Sequence, residues 1–158
     1  MVRFAEEKDL PRVNELREQV SRLHVKGRPD IFKPGFCQEL QERAYEMWRA
    51  EESDVIVAEN DGAICGMACI EYLAREESVY CFARKAYYIT EFAVEEAFRR
   101  QGVGRELMDF IEADAGAKGY PCIELDMWSF NDDARAFYEA LGFRAYRLLM
   151  ERDLTDEA

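Results

Sequence analysis

Apolar residues recur along this chain with two periods, and the changes between them mark out its elements. Leu10, Val13, Leu16, Val20 and Leu23 share one helical face, and Asp9 with Pro11 just before and inside its start supplies an N-cap and a first-turn proline. Residues 25–35 carry Gly27, Pro29, Pro34 and Gly35 and read as a loop. Phe36, Leu40, Ala44, Met47 and Trp48 then form a second helical stripe, with Glu39, Glu42, Glu46 and Arg49 on the other faces. Residues 2–5, 55–58, 64–73, 85–94 and 121–127 read as strands. Asn60-Asp61-Gly62 is the turn of a hairpin, and 74–78 is a polar loop. Asn131 caps a helix with Ala134, Phe137 and Leu141 on its buried face; Gly142 ends it, and 143–151 alternates as a last strand. Residues 1–154 read as one domain and 155–158 as a frayed tail.

Between the strand 85–94 and the next helix lies the most informative stretch. Arg99-Arg100-Gln101-Gly102-Val103-Gly104-Arg105 places two glycines and three arginines where Val103, Leu107, Phe110 and Ile111 begin a helical stripe that runs to about Lys118 and stops at Gly119. The first amides of a helix lack internal partners and carry the positive end of its dipole, so such a junction binds anions. Glycines let the backbone approach a phosphate, and arginines add charge around it. A pyrophosphate cradle is the expectation. Neither the triphosphate loop ending Gly-Lys-Ser/Thr nor the dinucleotide pattern G-x-G-x-x-G fits, since Gly104 is followed by Arg105-Glu106-Leu107.

Composition narrows the partners. A net charge of −12 argues against nucleic acid or an anionic membrane and makes a cationic substrate the natural complement, although acidity also serves solubility. Cys37, Cys65, Cys69, Cys81 and Cys122 are odd in number and lack metal-ligand spacing, so they read as reduced core thiols, with no metal expected. His24 is the only histidine, and no nucleophile signature accompanies it; it reads as a surface or helix-end residue. No run approaches membrane-spanning length and the first residues are not a secretion signal, so a cytoplasmic protein is expected.

Arg99-Arg100-Gln101-Gly102-Val103-Gly104 resembles the Q/R-x-x-G-x-G/A signature of the GNAT N-acetyltransferase superfamily. Asn131-Asp132-Asp133-Ala134-Arg135-Ala136-Phe137-Tyr138-Glu139-Ala140-Leu141-Gly142-Phe143 resembles its C-terminal signature, in the expected order and one strand later. The resemblance implies an α/β (α+β) fold: a mixed, strongly twisted sheet of about six to seven strands, with helices on both faces. It also implies a splayed parallel pair between 87–94 and 121–127, opened by a bulge in the first strand. Acetyl-coenzyme A is the implied co-substrate. Its pyrophosphate would lie on Arg99, Arg100, Gln101, Gly102, Val103, Gly104 and Arg105, and its pantetheine arm along the backbone of Phe92, Ala93 and Val94.

The same resemblance implies roles in acetyl transfer. Tyr138 matches the tyrosine that protonates the leaving thiolate, Asn131 caps its helix or contacts the pantetheine arm, and the N–H of Ala93 or Val94 is the oxyanion donor. Glu91 leads as general base, two residues before that amide; strand parity puts it on one face with Ala93 and Ile89, a parity that a bulge would disturb. Glu71 and Asp126 are alternatives for the base, or attract a cation. Asp30 and Phe32 fall where the family covers its acceptor site, and Tyr72, Trp128 and Phe32 offer aromatic walls that core packing explains equally well.

The expected activity is acetyl-coenzyme A dependent N-acetylation of a primary amine on a small cationic molecule or a protein. A non-catalytic coenzyme A sensor keeps the cradle without the chemistry, and transfer of a longer acyl chain or to a hydroxyl shares every motif quoted. Dimers are frequent in the family, and the last strands offer an edge, so a homodimer is expected as well.

Overall fold

Five strands and four α-helices carry out most of this pattern in a computed structural model that describes residues 1–155. In chain order they are β1 (Val2–Phe4), α1 (Leu10–Gly27), α2 (Gln38–Arg49), β2 (Ser53–Asn60), β3 (Ala63–Arg75), β4 (Arg84–Val94), α3 (Val103–Ala117), β5 (Ile123–Leu125) and α4 (Asp132–Ala140). One sheet holds all five strands in the order β1-β2-β3-β4-β5. Only β4 and β5 run parallel, because α3 crosses between them, and the result is a mixed α+β fold. The chain divides into two compact units, Met1–Asp126 and a second that begins at Met127.

Within the first unit the sheet is covered on both faces. Val55, Val57, Met67 and Cys69 point to one side, where they pack with Leu10, Val13 and Leu16 of α1 and with Tyr45, Met47 and Trp48 of α2. Leu107, Met108 and Ile111 of α3 are fully buried, as are Ile56, Ala68 and Ile70, which alternate with the first set along β2 and β3. Gly66 sets how closely α3 approaches. A Cβ there would stand 3.0 Å from Leu107 Cδ1, 3.2 Å from Val103 Cγ1 and 3.2 Å from the Ala93 carbonyl oxygen.

Several boundaries differ from the sequence expectation. Helix α1 continues to Gly27, with Arg28 N–H donating to His24 O at 2.8 Å, and ends where Pro29 cannot continue it. Asp9 does not cap α1 with its side chain. Its carboxylate accepts from Glu6 N–H at 2.8 Å and from Arg3 Nη1 at 2.7 Å, while Arg3 also reaches Glu59 at 3.0 Å, a clamp that fixes β1 to β2. The hairpin turn is as expected, with Asp61 at φ 49° and Gly62 at φ 82°. Cys65 and Cys69 are buried core thiols, whereas Cys37 and Cys81 are exposed.

The second unit contains α4, which Asn131 caps by accepting from Ala134 N–H at 3.2 Å. The helix closes with Phe143 N–H on Tyr138 O at 3.0 Å and Gly142 at φ 89°. No strand forms over 143–151, so the sheet has five strands and not six or seven. Alternation prepares a segment for a ladder, but a strand exists only where a neighbour supplies the hydrogen bonds. Of the expected tail, residues 156–158 lie outside the described residues. Among the described residues no helix is long and apolar enough to cross a membrane.

Two outcomes are expected. Gly66→Val overpacks the α3 face against a backbone oxygen that cannot rotate away, lowering stability by roughly 1–3 kcal/mol in thermal or urea unfolding. Asp9→Asn weakens the Arg3 clamp by about 1–3 kcal/mol at neutral pH. Arg3 holds the Asp9 carboxyl below its ordinary value of 3.8, so the clamp is complete above that value. In urea titrations the stability difference between the unaltered chain and the Asp9→Asn variant shrinks as pH falls through the folded value, because the unfolded chain binds the extra proton first.

Candidate active site

The site begins with a local irregularity in β4. Its register against β3 runs Ile89↔Ile70 and then Glu91↔Cys69, which leaves Thr90 as an extra residue, with its hydroxyl donating to Cys69 O at 3.2 Å. The bulge reverses the strand's facing. Ile89 pairs with Ile70 on the α3 side, whereas Glu91 pairs with Cys69 on the α1 side, so Glu91 and Ala93 share a face that Ile89 does not. The parallel ladder with β5 covers only Tyr87↔Ile123, Tyr88↔Glu124 and Ile89↔Leu125, and the strands part where the bulge begins.

That opening presents selected amides. Glu95 N–H donates to Cys65 O at 2.8 Å, on the β3 side, and the unbroken register from Glu91 to Val94 alternates from there. Ala93 N–H therefore also points to β3, while the amides of Phe92 and Val94 point toward the side where β5 has departed. Of the two expected oxyanion donors, Val94 has the orientation. Its own carbonyl accepts from Arg99 Nε at 3.1 Å, which ties the first arginine of the loop back to the strand.

The loop itself is a backbone nest. Arg100 (φ 61°) and Gly102 (φ 87°) are both left-handed, and Gln101 is steadied by donating from its side chain to Ala97 O at 2.9 Å. The first helical bond of α3 is Glu106 N–H to Gly102 O at 2.9 Å, so the amides of Val103, Gly104 and Arg105 precede it without a helical acceptor. Gly102 has open space around its missing Cβ; what it supplies is the left-handed turn. Arg99, Arg100 and Arg105 are exposed, and none forms an ion pair among the described residues. An anion is the matching ligand. Behind the loop, Glu95 is fixed to α1 by Gln19 at 3.1 Å and Arg12 at 2.6 Å, and these partners hold its carboxyl below the ordinary range.

On the α1 face, Glu91 is gripped by Arg17. The guanidinium, only 4% exposed, places Nε 2.6 Å from one carboxylate oxygen and Nη2 3.1 Å from the other; its remaining nitrogen bonds Asn14 Oδ1 and Leu40 O. Both oxygens of the expected base thus accept from a cation. Farther along the same face Glu71 lies opposite Tyr88, whose hydroxyl donates to Asp126 at 2.6 Å. Burial and Asp126 push the Tyr88 phenol up, so it stays a donor. Glu124 is buried between Arg84 at 2.7 Å and Arg75 at 3.6 Å, leaving Glu71 and Asp126 as exposed acids.

Other expected contacts fall elsewhere. Tyr72 lies on the α3 face, stacked on Tyr120 and edge-on to Tyr87, with its hydroxyl between Asp54 and Lys118; burial and Asp54 push it up to about 12. Asp30 pairs with Arg28 at 2.7 Å, which lowers its carboxyl, and Phe32 stacks on His24 at 5.0 Å near the end of α1. In the second unit Trp128 stacks on Phe130 at 6.2 Å. Tyr138 meets Phe137 and Phe143 edge-on, and burial pushes its phenol up to about 12. Arg17 and Tyr88 escaped the sequence reading. Arg17 had a signal: it falls four residues after Val13, inside the apolar stripe. No group of ligating side chains that would hold a metal occurs among the described residues.

The grip on Glu91 is testable. Arg17→Met leaves a carboxylate without its cation and costs about 2–4 kcal/mol in urea unfolding, and Glu91→Leu in the same chain recovers most of that loss.

Comparison with known proteins agrees with this geometry. A sequence profile described as the acetyltransferase (GNAT) family matches residues 17–143. A mutant of the BH1408 protein from Bacillus halodurans is similar at 32% identity, with a TM-score of 0.94 over 98% of this chain and 99% of that one. The aminoglycoside N-acetyltransferase AAC(6')-Iy in complex with CoA superposes with a TM-score of 0.76 at 20% identity, covering 98% of this chain and 94% of that one. The same enzyme with a bisubstrate analogue, CoA-S-monomethyl-acetylneamine, gives 0.75 at 20% identity over 97% of both chains. Among curated protein sequences, none matches significantly.

Proposed function

Because this chain belongs to the GNAT acetyltransferase family, we propose that it moves the acetyl group of acetyl-coenzyme A to a primary amine of a small cationic molecule or of a protein. The observation that carries the reading is the bulged β4, which parts from β5 and leads straight into an arginine-flanked helix N-terminus. A small-molecule acceptor gains support from AAC(6')-Iy, whose bisubstrate analogue joins CoA to an acetylneamine. The acidic balance of −12 adds support for a cationic one. A cytoplasmic location is part of the proposal.

In this reading the amides of Val103, Gly104 and Arg105, with Arg100 and Arg105, hold the pyrophosphate, and the amide of Phe92 holds the pantetheine arm. The co-substrate supplies an activated thioester. Val94 N–H stabilises the charge that develops on its carbonyl oxygen when the amine adds, and Tyr138 gives a proton to the departing thiolate. Glu91, with Arg17 on both oxygens, contributes field and not proton transfer. Asp126 takes the amine's proton through its second oxygen while Tyr88 holds the first, and Glu71 helps retain the ammonium form. The engagement of Glu91 also favours a second reading, a coenzyme A sensor without turnover.

Release of free coenzyme A from acetyl-coenzyme A, followed with a thiol reagent across polyamines, aminoglycosides, amino acids and peptides, separates the two. Turnover above an amine-free blank for one class supports the enzyme, and cofactor binding with a flat panel supports the sensor. Arg100→Ala is expected to raise KM for acetyl-coenzyme A roughly tenfold, the loss of one charged hydrogen bond. Tyr138→Phe is expected to lower kcat about 100-fold with cofactor affinity unchanged.

A further inference from the structure

Farther along the α1 face from Glu91, charges of the two signs stand apart without pairing off. The unbroken register places Glu71 opposite Tyr88 and Arg75 opposite Arg84, so these side chains turn to one face and Tyr72 to the other. Tyr88 lies beside Glu124 of β5 and donates to Asp126 at 2.6 Å. Glu124, with its side chain only 6% exposed, draws two guanidiniums, Arg84 at 2.7 Å and Arg75 at 3.6 Å. One cation suffices for one carboxylate. Arg84 makes the close contact, and Arg75, half-exposed, has no other ion pair and no side-chain hydrogen bond among the described residues. Its charge is therefore in excess of what Glu124 requires.

The acids nearer the opening are in excess too. Glu71 is exposed and without an ion pair among the described residues, and Asp126 is exposed with the neutral Tyr88 hydroxyl as its partner. Glu71 and Arg75 share a strand and a face, yet four residues of strand set their Cα atoms about 13 Å apart, and they do not pair. Unmatched acids and an unmatched cation held apart on one face complement a ligand that carries both signs. One surplus guanidinium matches a monoanion, and its parallel N–H groups match a carboxylate. We propose that the acceptor is a small zwitterion, an amine that also carries a carboxylate, with Glu71 and Asp126 drawing its ammonium and Arg75 holding its anion. This narrows the acceptor of the acetyl-transfer reading, on which it rests. A net charge of −12 by itself predicts the reverse, a preference for an amine with no anion.

The test is isothermal titration calorimetry of the full chain with saturating coenzyme A in place of acetyl-coenzyme A, so that binding is read without turnover. The probes are 6-aminohexanoate and 6-aminohexanamide, which share the amine and the length and differ in the anionic charge. The carboxylate is expected to bind the unaltered protein roughly tenfold tighter, the effect of one charged hydrogen bond. In Arg75→Gln, where Arg84 still satisfies Glu124, the two probes are expected to bind alike while circular dichroism stays native. Glu71→Gln is expected to weaken both probes by the same factor, because both carry the ammonium. Equal or tighter binding of the amide, a preference that survives Arg75→Gln, a Glu71→Gln variant that binds both probes as before, or binding of neither would each overturn the proposal. Acetyl transfer to the same two probes is followed separately. Turnover without a preference for the carboxylate leaves the transfer reading standing and overturns the zwitterion, whereas the preference in binding without turnover supports the zwitterion and counts against transfer.

Discussion

One inserted residue in β4 governs the geometry on which the rest depends. With Thr90 looped out, the strand keeps its ladder to β3 but turns its next side chains to the other face and loses its parallel partner. A regular strand would have put Glu91 beside Ile89 on the α3 side, where Leu107, Met108 and Ile111 are fully buried. The bulge sends it instead to the α1 face and the buried Arg17. The same event frees the amides of Phe92 and Val94 just before the chain enters the left-handed loop at Arg100 and Gly102. Opening, amide row and backbone nest are thus consecutive along the backbone, and the first two arise from a single departure from sheet regularity.

Charge is distributed to match. The protein is strongly acidic, yet Arg99, Arg100 and Arg105 gather at the one helix N-terminus that follows a parting strand. Acids on the α1 face divide into two kinds. Glu91 and Glu124 are matched by arginines, which fixes their positions and neutralises their fields in part, whereas Glu71 and Asp126 remain exposed. Which acids have a guanidinium partner is invisible until the partners are placed.

Much of the fold was legible because its signals are local. Helical stripes, the Asp61-Gly62 turn, the Asn131 cap and the Gly142 stop depend on residues within one or two turns of one another; the turn, cap and stop formed where the pattern placed them, and the helices formed with shifted ends. The strand over 143–151 was illegible for the converse reason. Its alternation is real, but a strand is a relation between two segments, and the second is not adjacent in the sequence. Tyr72 shows the same limit: an aromatic in a strand reads as pocket wall or core alike, and its partners Asp54, Tyr87, and Lys118 with Tyr120 come from three separate stretches.

By itself, then, the sequence determined most of the elements, the family and the glycine–arginine loop of 99–105, whose character lies in backbone conformation and charge that need no distant partner. Only the tertiary structure decided which way Glu91 faces, that Arg17 claims both its oxygens, and that Val94 rather than Ala93 turns its amide to the opening. Those outcomes follow from register and from contacts across 74 positions of chain, and no local pattern encodes either.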